Sequence, residues 1–327
     1  VPRLRIGVLG CADIALRRIL PNLVHLDSAT LVAVSSRHAD KAVEAASQFD
    51  CAAVTGYEAL LARDDIDAVY IPLPPAMHHR WIVESLTAGK HVLAEKPLCV
   101  TAAETTEVVE LARRHDLVLA ENFMFLNHSQ HETVRSLVRD GVIGHVRSFS
   151  SAFGIPPVNP LSFRYSRNLG GGALLDVGVY PLRAAQLHFP GEFRVVGACR
   201  RVDERIGVDV AGGALLSDAD GVTVHLEFGF EHAYRTDYTL WGSAGCISVL
   251  RAFTPPEHHR PTVRIEEQDR VTELSLPPDN QVRNTLRAFI DAALGRKEAP
   301  CGASMVRHAT LVDDVRRAAA AHAAAYG

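Results

Sequence analysis

The chain has 327 residues, 47% of them hydrophobic and 22% charged, with a formal net charge of −4. That length suits two domains of ~150 residues, each large enough to bury a core of its own, and the mildly negative charge gives no reason to expect nucleic acid as a partner. No apolar run reaches the ~20 residues of a membrane helix, the opening VPRLRIGVLG reads as a strand and not a signal peptide, and six scattered cysteines (11, 51, 99, 199, 246 and 301) read as reduced thiols of a cytoplasmic protein.

In chain order, Leu4–Leu9 is an apolar run with a glycine turn behind it, and residues 14–26 have helical spacing. Residues 31–34 form a second apolar run, followed by a helix from Asp40. Ala68–Ile71 is a third strand, stopped by Pro72 and Pro74, and residues 81–88 are helical up to Gly89. His91–Ala94 is the next strand. Thr101 with Glu104 predicts a capping box opening a helix to about His115, and residues 117–120 form a further strand. Such repeated strand–helix units predict a parallel, doubly wound sheet.

Beyond residue 121 the texture changes. A helix over residues 130–139 ends at Gly141, and strand patterns then dominate. In Val222–Phe228 apolar and polar residues alternate strictly, behind an Asp220–Gly221 turn, as in a half-buried antiparallel strand. Residues 263–265 and 271–276 alternate similarly. A glycine-led helix over 171–187 and helices over 281–294 and 304–324 complete the pattern. The predicted fold is α/β: an N-terminal Rossmann domain over 1–121 and a C-terminal α+β domain over 122–327 with a large, mainly antiparallel sheet.

Chemistry concentrates at a few places. Gly10, Ala12 and Ala15 stand at the three positions of a G-x-G-x-x-G/A fingerprint. A dinucleotide needs there a tight turn, close approach of backbone to pyrophosphate and a helix N-terminus facing the anion. Gly10, Cys11, Ala12, Asp13 and Ile14 are the candidate contacts. Ala12 puts a methyl group where glycine is usual, and a strand–glycine–helix turn is also generic α/β punctuation. The second strand ends in Ser35-Ser36-Arg37, without the acidic residue that holds the ribose hydroxyl of NAD. A hydroxyl and a guanidinium suit a 2′-phosphate, hence NADP(H); an ordinary polar loop is the alternative.

Three further segments are Ile71-Pro72-Leu73-Pro74 with His78, Ala94-Glu95-Lys96-Pro97, and Asp176-Val177-Gly178-Val179-Tyr180. With the first turn they resemble, over nearly the whole chain, the Gfo/Idh/MocA oxidoreductase family. The resemblance implies that Lys96 reaches nicotinamide and substrate, with Glu95 beside it at the cofactor, and that Asp176 is the aspartate of the family's D-x-x-x-H pattern. The histidine of that pattern is replaced by Tyr180. This substitution, with the segments GCADIA, HVLAEKPL, ENFMFL, GVIG, GGGALLDVGVYP, EHAY and FTPP, is similar to the family's sugar C-3 ketoreductases of actinomycete deoxysugar biosynthesis, of the kijanose-pathway type. The resemblance implies NADPH-dependent reduction of the C-3 keto group of a dTDP-linked keto- or diketo-deoxyhexose.

The residues suit that chemistry. Ketone reduction needs a hydride source and a proton donor at the oxygen. A phenol titrates near ~10 when unperturbed, and a neighbouring ammonium lowers that value. Lys96 can supply the charge and polarise the carbonyl, Tyr180 the proton, and Asp176 the orientation of Lys96 or of a substrate hydroxyl. The plainer alternatives are a surface lysine, a buried helix tyrosine and a helix ion pair. His78 serves either as a ligand contact or as a structural helix-start residue. Pro72 and Leu73 would pack along the cofactor, and Asn122 and Phe123 would face the substrate crevice. Arg164, Tyr165 and Arg183 could bind a diphosphate or base, with surface salt bridging as their alternative. The histidine pairs 78–79 and 258–259 lack an organised ligand set, so no metal is expected. Two other functions stay open: an inositol- or aldose-type sugar dehydrogenase, and a non-catalytic NADP sensor or co-regulator. A homodimer or homotetramer built on the second domain's sheet is expected.

Overall fold

The structure, a computed structural model, describes residues 2–326. Two compact units divide the chain: one runs through Phe123 and takes in Val282–Val306, and the other comprises Met124–Gln281 and the stretch from Arg307.

The first unit is built on six parallel strands. In chain order they are β1 (Leu4–Leu9), a π-turn (Ala15–Ile19) running into α1 (Leu20–Leu23), β2 (Ala29–Ser36), α2 (Ala39–Phe49), β3 (Ala52–Thr55), α3 (Tyr57–Leu61), β4 (Ala68–Ile71), α4 (Pro75–Thr87), β5 (His91–Ala94), α5 (Ala102–Arg114) and β6 (Leu119–Glu121). The sheet order is β3-β2-β1-β4-β5-β6. Val8, Val69, Ile71 and Val92 are fully buried at its centre, as apolar runs covered on both faces must be. The order reverses between β1 and β4, and ligands of open α/β sheets bind beyond the strand ends at such a switch point. Gly10 and Pro72–Leu73 sit there.

Local chemistry sets the helix starts. Pro75 opens α4, where a missing N–H costs nothing. Thr101 caps α5 by accepting the Glu104 amide, while Glu104 accepts the Thr101 amide at 3.1 Å. Two expectations change. The helix expected over 14–26 is π-wound over Ala15–Ile19 and ends at Leu23. The sequence reading also missed β3 and α3: β3 is a short, half-buried edge strand whose AAVT carries almost no apolar period.

The second unit opens with a 3₁₀ turn (Met124–Asn127), α6 (Ser129–Arg139) and β7 (Val146–Gly154). Short 3₁₀ turns at Phe163–Tyr165 and Arg167–Leu169 lead to a π-turn (Leu174–Gly178) that continues as α7 (Val179–His188). Strands β8 (Arg194–Asp203), β9 (Val208–Ser217), β10 (Thr223–Gly229), β11 (Arg235–Gly242), β12 (Cys246–Leu250), β13 (Thr262–Glu267) and β14 (Arg270–Ser275) follow. The eight-stranded sheet has the order β14-β13-β12-β11-β7-β10-β9-β8. β7 and β10 run parallel, the remaining neighbours antiparallel.

β10 obeys its alternation: Val224, Leu226 and Phe228 are buried, whereas Thr223, His225 and Glu227 face solvent. The turn before it is held by Asp218, whose carboxylate accepts the amides of Asp220 at 3.0 Å and Val222 at 2.8 Å, and Gly221 takes φ +79°. α7 lies against β7 and β10. By strand register Trp241, Leu250 and Val271 share the opposite face with Thr223, and all three are more than half exposed.

Two helices close the chain, α8 (Gln281–Ala293) and α9 (Gly302–Tyr326). Assigning all of 122–327 to the second domain is corrected here, because 282–306 belongs to the first unit. Arg296 donates to the Pro2 carbonyl at 3.1 Å, and Gly302 lies so close to α5 that a Cβ there would come within 2.6 Å of Val109 Cγ1. Such contacts span most of the chain length and leave no local trace in sequence. Among the described residues no helix is long and apolar enough to cross a membrane.

Candidate active site

At the end of β1, Gly10 takes φ +118°, and a Cβ on it would lie 2.8 Å from Leu73 Cδ2. Only glycine suits both the backbone and this close approach. The amide of Gly10 bonds the Ser35 carbonyl at 2.9 Å, and the next helix starts with the Ala15 amide on the Ala12 carbonyl. Cys11, Ala12 and Ile14 are half-buried and Asp13 is exposed, paired with Arg17 at 2.7 Å. The Ser35 hydroxyl is fully buried and donates to the Val8 carbonyl at 2.9 Å, tying β2 to β1. Ser36 Oγ accepts the His38 amide at 3.2 Å, and Arg37 stands exposed beyond it. A cradle at Gly10, a helix start after it and an exposed cation at the tip of β2 fit a dinucleotide with a 2′-phosphate.

Pro72 and Leu73 are buried at the end of β4, with Leu73 against Gly10. Register places Ala94 beside Ile71, and Glu121 beside Ala94. Glu95, Lys96 and Asn122 therefore leave the sheet at the same edge as Gly10. Lys96 is half-buried. Glu95 is buried, and its Oε1 accepts from the Tyr70 hydroxyl at 2.7 Å and from Asn122 Nδ2 at 2.6 Å. Burial pushes its carboxyl up, against the pull of those two donors and of Lys96. Glu95 thus braces the backbone before Lys96. Asn122 is buried, and its Oδ1 has no hydrogen-bond partner among the described residues. Phe123 is buried, 1% exposed.

His78 makes the structural contacts of its second reading. It is fully buried, with Nδ1 2.8 Å from the Pro97 carbonyl and Nε2 2.7 Å from the Leu73 carbonyl. Burial holds the imidazole below the ordinary histidine range, against the pull of the carbonyls. The side chain straps the loop after β4 to the loop that carries Lys96. A histidine three residues into a helix does not announce that role; the carbonyls it joins are 5 and 19 residues away.

In the second unit Asp176 and Tyr180 lie on the turns of the glycine-led helix. Asp176 is buried, and its Oδ2 accepts from Arg164 Nε at 2.6 Å. The ion pair considered for Asp176 is thus present, and it binds together two expected substrate residues. Tyr180 is 8% exposed, its ring packed among Phe125, Phe153 and Phe253 at centroid distances of 5.8, 5.0 and 5.6 Å. The Tyr165 hydroxyl accepts the Val158 amide at 3.3 Å, and its ring meets Phe230 edge-on. Arg183 is half-buried on the same helix, one turn beyond Tyr180. Among the described residues no three His, Cys, Asp or Glu converge as metal ligands would.

Sequence comparison decides the family. Residues 4–123 match the profile described as the oxidoreductase family with an NAD-binding Rossmann fold, and residues 131–248 match the Gfo/Idh/MocA C-terminal domain. The chain belongs to the Gfo/Idh/MocA family. Similar members of the family include the dTDP-3,4-didehydro-2,6-dideoxy-α-D-glucose 3-reductases of Saccharopolyspora spinosa, 49% identical over 96% of this chain and 97% of that protein, and of Streptomyces antibioticus, 51% identical over 96% of both. Among solved Gfo/Idh/MocA structures, the 3-ketoreductase KijD10 of Actinomadura kijaniata, in complex with NADP and TDP-benzene, superimposes with a TM-score of 0.95. It is 46% identical and the match covers 97% of this chain and 98% of that one.

Proposed function

We propose that this chain is an NADPH-dependent 3-ketoreductase acting on a dTDP-linked keto- or diketo-deoxyhexose. The observation that carries this reading is about-half identity, over nearly full length, to the dTDP-sugar 3-reductases, together with Lys96, Asp176 and a tyrosine, Tyr180, in place of the family histidine. NADPH, when bound, supplies the hydride that goes to C3 of the sugar. Lys96 polarises the C3 carbonyl and stabilises the developing alkoxide. Tyr180 delivers a proton to O3. The buried Asp176 fixes Arg164 by a short, charge-assisted hydrogen bond, which leaves the rest of the guanidinium to meet the sugar's diphosphate. Gly10 and its turn hold the pyrophosphate of the cofactor, and Ser36 with Arg37 its 2′-phosphate.

The test is turnover of a dTDP-3-keto-2,6-dideoxyhexose with NADPH, measured against the free sugar and against inositol. The dTDP-sugar should be reduced at one carbon, with the nucleotide required. Oxidation of inositol or an aldose without nucleotide would favour the dehydrogenase reading, and binding of NADP without turnover the sensor reading. A cytoplasmic setting suits the six unpaired cysteines. A homo-oligomer is proposed through the exposed sheet face bearing Trp241, Leu250 and Val271. Sedimentation at micromolar concentration as a monomer would defeat that assignment.

A further inference from the structure

The helix that carries Asp176 and Tyr180 begins abruptly. Gly172 takes φ +119°, the Asp176 amide bonds the Gly172 carbonyl at 3.1 Å, and the turn that follows is π-type. Helix starts leave their first amides without intrahelical partners, and a neighbouring Ser, Thr, Asp or Asn in the chain usually accepts one of them. Here the residue at that place is Gly172, which has no side chain to do so. The acceptor comes from β9 instead. Asp209 Oδ2 takes the Leu174 amide at 2.7 Å, in a fully buried bond across 35 residues. Arg200 of β8, paired with β9, donates to Asp209 Oδ1 at 3.3 Å. The carboxylate is 7% exposed.

The fit is close on every side. A Cβ on Gly172 would lie 2.6 Å from Asp209 Oδ1, so glycine is required for the carboxylate to enter. A Cβ on Gly171 would lie 2.4 Å from the Arg164 carbonyl, and the Gly172 amide donates to that same carbonyl at 2.9 Å. The strand carboxylate, the two glycines and the Arg164 backbone therefore converge on the two residues before the helix. A π-turn is wider than an α-turn and shifts the angular position of everything after it. With one end held by Asp209, the direction of Tyr180 from the helix axis is set.

We infer that Asp209 is a positioning residue for the reaction. Its carboxylate, charge-balanced by Arg200, caps the glycine-led helix from outside and sets the register in which Asp176 and Tyr180 are presented. This rests on the 3-ketoreductase reading above. The carboxylate meets the positive end of the helix, which strengthens the bond to Leu174. Without it the Leu174 amide is buried without a partner, and the turn relaxes at a cost borne by the catalytic helix.

The test uses the full-length protein with Asp209→Ala and Asp209→Asn. Backbone hydrogen exchange is followed over residues 173–180, alongside kcat and KM for the dTDP-3-keto sugar and NADPH affinity. In Asp209→Ala those amides should exchange at least tenfold faster, and kcat should fall at least tenfold with NADPH affinity within twofold of native. Asp209→Asn keeps an acceptor for Leu174, so it should recover part of both losses; if Asp209→Ala does not fold, the intermediate values of Asp209→Asn carry the test. Unchanged exchange at 173–180 overturns the inference, and so does a folded Asp209→Ala whose kcat stays within twofold. If the native protein reduces no dTDP-keto sugar, the functional reading fails, and exchange alone then decides whether Asp209 holds the helix.

Discussion

Tyr180→Phe separates chemistry from packing. The ring is 8% exposed and touches Phe125, Phe153 and Phe253 at 5.0–5.8 Å. Phenylalanine keeps all three aromatic contacts, so stability should change by about 1 kcal/mol or less, the net worth of one hydrogen-bonding hydroxyl. Tyr180→Ala would instead remove a buried ring and cost ~3–5 kcal/mol, which confounds folding with catalysis. Loss of a general acid lowers the rate about 10²–10⁴-fold, or ~3–5 kcal/mol in barrier. The two effects differ enough to be read separately. The assay is single-turnover consumption of NADPH on the dTDP-3-keto sugar across neutral pH, with thermal unfolding in parallel. Tyr180→Phe should melt close to native, bind NADPH normally and reduce the ketone at least a hundredfold more slowly. A single-turnover rate within threefold of native would refute the assignment and pass the proton to Lys96 or to water. Lys96→Ala should also lose rate, and the double variant should lose less than the sum, because both side chains serve one transfer.

Other expectations follow from the same geometry. Gly10→Ala places its Cβ 2.8 Å from Leu73 Cδ2 in a backbone with φ +118°; it should cost ~1–3 kcal/mol and weaken binding of both NADPH and NADH, and full retention of cofactor affinity would contradict the cradle. Native protein should prefer NADPH over NADH by ~1–3 kcal/mol, and Ser36→Asp should erase that preference by repelling the 2′-phosphate; equal native affinity for the two cofactors would refute it. Burial pushes the His188 imidazole down to about 3 and holds His131 and His308 well below the usual range. The unfolded chain protonates these groups near pH ~6.5 while the folded chain does not, so their stability contribution is complete above that pH and is lost as pH falls from there toward about 3 for His188. His188→Phe should flatten the dependence of stability on pH between ~6.5 and ~5 by up to ~1.4 kcal/mol per pH unit; parallel curves for variant and native protein would count against it.

Much of this protein was legible locally. The capping box at Thr101 and Glu104, the alternation over Val222–Phe228 and the glycine turn after β1 depend on residues within a few positions of each other, and the structure realises all three. So do the bounds of β1, β4 and β5, whose apolar residues are buried in the sheet. The motifs GCADIA, EKP and D-x-x-x-Y were enough to name the family, because they hold chemistry that one fold reuses.

Tertiary structure decided the rest, and the reason is sequence distance. His78 in its motif looks the same whether it meets a ligand or straps two loops; only folding brings the carbonyls of Leu73 and Pro97 to its two nitrogens. Ser35 and Ser36 are adjacent hydroxyls, yet strand geometry turns the first to Val8 and leaves the second at the tip of β2. Phe123 follows Asn122 directly, but period-two alternation does not reveal that both are buried. β7 pairs in parallel with β10 across some seventy residues, and 282–306 returns to the first unit, contacts that no window of local sequence contains. Asp209 reaches Leu174 from a strand whose own pattern shows only an acid between two valines. Local periodicity fixes which element forms. The free energy that selects a side chain's partner is gained only when distant elements pack, and it is there that the site's geometry is set.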